Sequence, residues 1–345
     1  MGNSLRVGVD VRVGGVNSLA IELQTSDFSQ NHRDLLRSQA VLSVCDLFLF
    51  QVSDMEISSF LASPVGFLLP RQGILPAVGN GVHLLESSLS ELLPHVRLEK
   101  SREASAIVAG LQKFVRLMPS PAVSVIDLIP PLFSFIPSAP GEWRMSEPVT
   151  RNFQVFPVEA LPAEPFLLIT VKAGTSFFKV ENGDVLRVGG SPIGGGTLAG
   201  LLSMLPKESA DGKVSDSRPS LDLLVSDIYG KDTPPSLNLP GHVIASVFGR
   251  AGGEEISRSA AVLSGVNFLA LNLAQLSVLH ASLAGCDNLL FIFDGGWEDC
   301  IVGSCNWMSV AVQTARFVEF WSLGKFGAKF ACQANFLAAA GAIAF

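Results

Sequence analysis

The 345-residue sequence predicts an α/β protein of two lobes with a cleft between them. Three observations lead there. The chain exceeds the roughly 250–300 residues at which a single core stops growing. Hydrophobic residues make up 48% and charged residues 16%, a globular composition with a large core. The strand–turn–strand pattern that opens the chain at Leu5 returns at Pro165, each time with small residues in the turn. That repetition is expected of a duplicated α/β unit, divided here into residues 1–163 and 164–345.

Charge and cysteine usage exclude several classes. A net charge of −7 and the lack of a dense Lys/Arg block argue against a nucleic-acid surface. An anionic ligand would need local donors rather than a global field. The five cysteines Cys45, Cys286, Cys300, Cys305 and Cys332 are scattered, and Cys300 and Cys305 have no second pair or histidine cluster nearby. No metal site is expected, and reduced thiols in a cytoplasmic protein are. Met1–Asp10 lacks the basic-then-apolar pattern of a secretory leader. Ser259–Cys286 is long and apolar enough to span a membrane, but Asn267, Asn272, Gln275, Ser277, His280 and Ser282 punctuate it. A helix buried between lobes or subunits is expected instead, with no membrane partner.

Read in order, Leu5–Asp10 alternates as a first strand, with Ser18–Leu23 as its hairpin partner across a turn holding Gly14 and Gly15. Val41–Val52 reads as a strand preceded by a short helix. Gly79-Asn-Gly81 marks a turn before a helix over Val82–Leu93, and Ser101–Leu117 is an amphipathic helix. A proline-rich stretch follows. Pro165–Val171 is a buried strand; Ser176–Val180 and Val185–Val188 form a hairpin around Asn182-Gly183. Helices are expected over Thr197–Leu205, Leu221–Ile228, Ser257–Leu283, Val310–Leu323 and Ala334–Ala344, with a buried strand at Leu289–Phe293.

The densest signal is Arg187-Val-Gly-Gly-Ser-Pro-Ile-Gly-Gly-Gly-Thr197, in which five glycines fall within eight positions and then give way to a helix. Such a turn exposes backbone N–H groups and the positive end of a helix dipole, which suits a phosphate. It equally describes a tight turn in which only glycine fits.

That stretch is similar to the R-V-T-G-T-S-L-G-G-G-T motif of the eukaryotic-type (type II) pantothenate kinases. Four further segments resemble the same family in the same order. Gly79-Asn-Gly-Val-His-Leu-Leu-Glu86 is similar to G-G-G-A-Y-K-F-E, and Asp227-Ile-Tyr-Gly230 matches D-I-Y-G. Leu239–Gly249 resembles L-P-G-x-x-x-A-S-S-F-G, and Phe320-Trp-Ser-Leu-Gly324 resembles Y-W-S-K-G. The resemblance implies an actin-like, sugar-kinase-like fold (the acetate kinase–Hsp70–actin group) that uses ATP and Mg²⁺ to phosphorylate pantothenate. It implies a dimer, of identical or related chains, inhibited by acyl-CoA.

The resemblance also assigns roles. Glu86 falls at the catalytic glutamate and would accept the proton of the pantothenate hydroxyl. Arg187 falls at a catalytic and substrate-contacting arginine, whose planar fork suits a carboxylate or a transferring phosphoryl group. Ser176 matches a serine that hydrogen-bonds pantothenate. Asp10, Gly14, Gly15, Gly194, Gly195, Gly196 and Thr197 fall at nucleotide contacts.

The chain departs from the family where phosphates should lie. The first phosphate loop, D-x-G-G-T followed by a lysine, has two extra residues here; Val16 replaces the threonine and Leu19 the lysine, with Arg12 as a candidate substitute cation. The second loop, N-I-G-S-G-V-S, reads Thr170-Val-Lys-Ala-Gly-Thr-Ser176, so that Lys172 replaces a glycine and Ala173 a serine. Phe293–Glu298 replaces V-G-N-F-L-R, and Cys332–Asn335 replaces E-H-E-G. Three readings are open: an active kinase with divergent nucleotide contacts, a weak or inactive subunit beside a related partner, and a coenzyme A sensor.

Overall fold

The computed structural model describes residues 5–10, 16–23, 30–40, 42–44, 47–53, 59, 62–63, 73–79, 81–83, 86, 94–117, 132–137, 153–157, 160–204, 220–230, 239–252, 257–293, 307–331 and 334–343. The chain forms two compact units. One comprises Met1–Leu132, Pro157–Leu161 and Ala331–Phe345; the other comprises Phe133–Phe156 and Pro162–Phe330. The expected division after residue 163 therefore differs in two ways. Residues 133–156 join the second unit, and the C-terminal segment returns to the first.

The first unit contains β1 (Leu5–Asp10), β2 (Val16–Leu23), α1 (Gln30–Gln39), β3 (Leu42–Val44), β4 (Leu47–Ser53), β5 (Gly73–Val78), β6 (Val96–Lys100) and α2 (Glu103–Leu117). Its six-stranded sheet runs in the order β3-β4-β2-β1-β5-β6. β1, β2 and β4 form an antiparallel meander, and β5 lies parallel to β1. Val41–Val52, expected as one strand, is thus a short strand and a longer one paired antiparallel.

The second unit contains β7 (Leu132–Pro137), β8 (Phe153–Pro157), β9 (Phe166–Val171), β10 (Thr175–Glu181), β11 (Asp184–Ser191), α3 (Gly195–Ser203), β12 (Leu223–Leu224), α4 (Val225–Tyr229), β13 (Ile244–Ser246), α5 (Arg258–Ala284), β14 (Asn288–Phe293), α6 (Trp307–Trp321) and β15 (Gly327–Ala331). Its seven-stranded sheet runs β11-β10-β9-β14-β15-β7-β8. β9, β10 and β11 are an antiparallel meander, and β14 is parallel to β9. The strand order of the first unit, from its meander outward, therefore recurs in the second. This doubled topology is that of the actin-like, sugar-kinase-like fold.

The central strands explain themselves from composition. Every residue of β9 is buried, as are five of the six in β14, as required of strands covered on both faces. The long apolar helix expected from Ser257 is α5, with 27 residues. Ser257 Oγ accepts from Ala260 N (3.2 Å), and Gly285 ends the helix in the left-handed region (φ 67°). α5 is the one described helix long and apolar enough to cross a membrane, and it packs on β9, β10, β14, α3 and α6. The last helix, α7 (Ala334–Ala342), packs on α2, β1, β2 and β5 of the first unit.

Candidate functional site

In the first unit, Asp10 ends β1, pairs in register with Ser18 and Val78, and is fully buried. β5 ends beside it, and Gly79 turns the chain with φ 100°. Val82, His83 and Glu86 are helical, and Glu86 is exposed. Gly14, Gly15 and Arg12 lie outside the described residues, as do the other replaced loops at residues 294–298 and 332–333. Leu19, at the family's lysine position, is 6% exposed and belongs to the core cluster of Val7, Val9 and Ile21.

In the second unit, the β10–β11 hairpin carries Ser176 and Arg187. Asn182 (φ 53°) and Gly183 (φ 79°) supply its two-residue turn. Phe178 pairs with Arg187, but Phe177 pairs with Gly189 and Ser176 with Gly190, so Val188 is an extra residue that bulges. Side chains alternate along a strand, so without the bulge Arg187 would share a face with Gly189. With it, Arg187, Gly190, Ser176 and Phe178 share one face. Arg187 is exposed and Ser176 half-buried. The guanidinium lies over Gly190, where an added Cβ would run into Nη2 and come within 3.3 Å of Cζ. On the opposite face a Cβ at Gly189 would meet the His280 ring, 2.6 Å from Cδ2. His280 stacks on Phe177 with centroids 4.2 Å apart and planes within 9°, and its Nδ1 donates to the Leu276 carbonyl (2.8 Å).

The run Gly194–Thr197 packs against the β9–β10 turn. Gly195 N–H donates to the Lys172 carbonyl (2.6 Å) and Gly196 N–H to that of Ala173 (3.1 Å). Gly194 N–H donates to Thr197 Oγ1 (3.2 Å), which itself donates to the Pro192 carbonyl (3.1 Å). A Cβ on Gly194 would lie 2.6 Å from the Ala173 carbonyl oxygen. Close approach explains these glycines. Their N–H groups are engaged within the unit, and the space a side chain on Gly194 or Gly196 would need is taken by the Ala173–Gly174 turn.

The remaining motifs pack together. β12 pairs with β13, joining the segments of Asp227-Ile-Tyr-Gly230 and Leu239–Gly249. The helix expected from Leu221 starts only at Val225, because Leu223 and Leu224 are taken by this pairing. Asp227 accepts from Leu224 N (2.7 Å) and forms an ion pair with Arg250. Tyr229 is 50% exposed. Sequence reasoning missed Val188, Gly190 and His280; the glycine pair beside Arg187 was the visible signal.

Two units of one topology, with glycines abutting a hairpin that carries a serine and an arginine, make up the described fold and candidate site. The Fumble family model matches residues 23–344, and the chain belongs to that family, the type II pantothenate kinases. It is 27% identical over 278 residues to the 4'-phosphopantetheine phosphatase of Mus musculus, covering 78% of this chain and 30% of that one. It is 28% identical over 285 residues to the pantothenate kinase of Schizosaccharomyces pombe, covering 78% of this chain and 62% of that one. The chain thus spans less than two thirds of either relative's length. A solved ROK family glucokinase from Streptomyces griseus, in complex with glucose and AMPPNP, is 11% identical with a TM-score of 0.43, over 99% of this chain and 98% of that one.

Proposed function

We propose that the chain transfers a phosphoryl group from ATP to the terminal hydroxyl of pantothenate, giving 4'-phosphopantothenate. The observation that carries this reading is the shared hairpin face of Ser176 and Arg187. A planar guanidinium beside a hydroxyl suits the carboxylate and polar groups of pantothenate. Glu86, exposed on its helical segment, is the group to take the hydroxyl proton as the oxygen attacks. The nucleotide supplies the phosphoryl group, and the family resemblance puts it beside the Gly194–Thr197 turn. Among the described residues no group of three or more His, Cys, Asp or Glu gathers to hold a metal. Mg²⁺ would enter with the ATP phosphates. A cytoplasmic dimer, inhibited by acyl-CoA, belongs to the same reading. Leu279 and Leu283, one turn apart on α5, stay 58% and 87% exposed and fit a subunit contact.

A second reading, a weak or inactive subunit beside a related partner, is favoured by Leu19. Its side chain fills the core where the family has a lysine. The deciding assay follows ADP from the purified chain with Mg-ATP, with and without pantothenate. The proposal expects pantothenate-dependent ADP that falls by about 10²-fold or more in Glu86→Ala. No ADP above background would favour the second reading. Release of phosphate from 4'-phosphopantetheine instead would assign the chain the activity named for its mouse relative.

A further inference from the structure

We infer that Gly190 and the Val188 bulge, braced from the far face by His280, are positioning elements that aim Arg187 at an anionic group held beside Ser176. The inference rests on the pantothenate reading and goes beyond it. The bulge decides which face Arg187 occupies, since the register changes by one residue between Phe177 and Phe178. Gly190 decides how the guanidinium lies. It stands directly opposite Ser176, and only a residue without Cβ leaves room for Nη2 across the strand pair.

His280 holds the bulge from the other side. Its ring takes the space a Cβ on Gly189 would need, stacks on Phe177, and is fixed by the bond from Nδ1 to Leu276. The family motif has threonine where this chain has Gly189, so the glycine and the histidine that fills its place form a matched pair here. The ligand chemistry that suits the arrangement is a carboxylate taken by the fork of Arg187 next to the Ser176 hydroxyl.

The test is calorimetric titration of pantothenate into the full chain, native and as Arg187→Ala, Gly190→Ala, His280→Ala and the double variant Arg187→Ala/Gly190→Ala. A Cβ at position 190 meets the far end of a flexible side chain, so Gly190→Ala displaces Arg187 rather than the backbone. Arg187→Ala and Gly190→Ala should each weaken binding by about tenfold, with the double variant no weaker than Arg187→Ala alone. His280→Ala should weaken it by a smaller factor that vanishes when Arg187 is absent. Native binding by Gly190→Ala, or losses that multiply in the double variant, would overturn the inference and leave the pantothenate reading standing. A native chain that takes up no pantothenate would overturn that reading and the inference with it. Should Gly190→Ala lose its thermal transition, His280→Ala alone and combined with Arg187→Ala decides in the same way.

Discussion

The side-chain amide of Asn267 donates to the Asp222 carboxylate across 2.8 Å, and the two residues are 0% and 1% exposed. The bond is the middle of a buried relay. Asp222 also accepts from Phe248 N (3.2 Å), and Asn267 Oδ1 accepts from Gln313 Nε2 (3.0 Å). The relay ties the segment carrying β12 and β13 to α5 and α6. A buried carboxylate that loses a donor keeps its desolvation cost without compensation. Asn267→Ala should therefore lower stability by about 1–3 kcal/mol, read from urea denaturation. An unchanged midpoint and slope would mean the relay contributes nothing.

In the first unit, α2 and α7 touch through their backbones. A Cβ on Gly341 would collide with the Ala106 carbonyl oxygen and lie 2.7 Å from Gly110 N; one on Gly110 would collide with the Leu337 carbonyl oxygen. Neither neighbour can swing aside as a side chain would. Gly341→Val should destabilise the chain by about 1–3 kcal/mol or more, measured by thermal unfolding. A native melting temperature would contradict this packing.

Leu19 stands where the resembled family motif has a lysine, and here its side chain belongs to the core. Restoring the cation by Leu19→Lys would bury an ammonium among Val9 and Ile21. The expected outcome is a lower melting temperature, by about 2 kcal/mol or more at the transition, and no tighter nucleotide binding. A stable Leu19→Lys chain with improved ATP affinity would show that Leu19 sits at the family's lysine site in function.

Cys286 is buried beside Lys179 and Glu181, and burial pushes its thiol above the usual range while Lys179 pulls it down. A thiol raised on folding contributes stability that is present below its unfolded pKa, about 8.5, and fades as pH rises past it. At pH 8 the Cys286 peptide should label slowly with iodoacetamide in the native chain and quickly in urea, as read by mass mapping. Equal rates in the two conditions would contradict its burial.

The fold was largely legible where burial is two-sided or where caps are explicit. β9 and β14 read as continuous apolar runs, α5 announces its ends with Ser257 and Gly285, and Asn182-Gly183 marks the hairpin. The edges were not. β6 and β15 carry charged residues on short strands, and β12 has only two residues held by pairing with β13. The destination of the Ala-rich α7 depends on glycines in α2 and β1 that meet it only after folding. At the site, residue types were visible but register was not. The glycine pair at 189–190 signals an irregularity but not its register, so the face shared by Ser176 and Arg187 emerged only from strand pairing.

The most direct test of the central claim is mass-spectrometric detection of 4'-phosphopantothenate after the purified chain is incubated with pantothenate, ATP and Mg²⁺. The account predicts product from the native chain and a loss of at least about 10²-fold in Arg187→Ala, whose guanidinium would hold the reacting partner. Absence of product from a folded native chain, or undiminished product from Arg187→Ala, would contradict it.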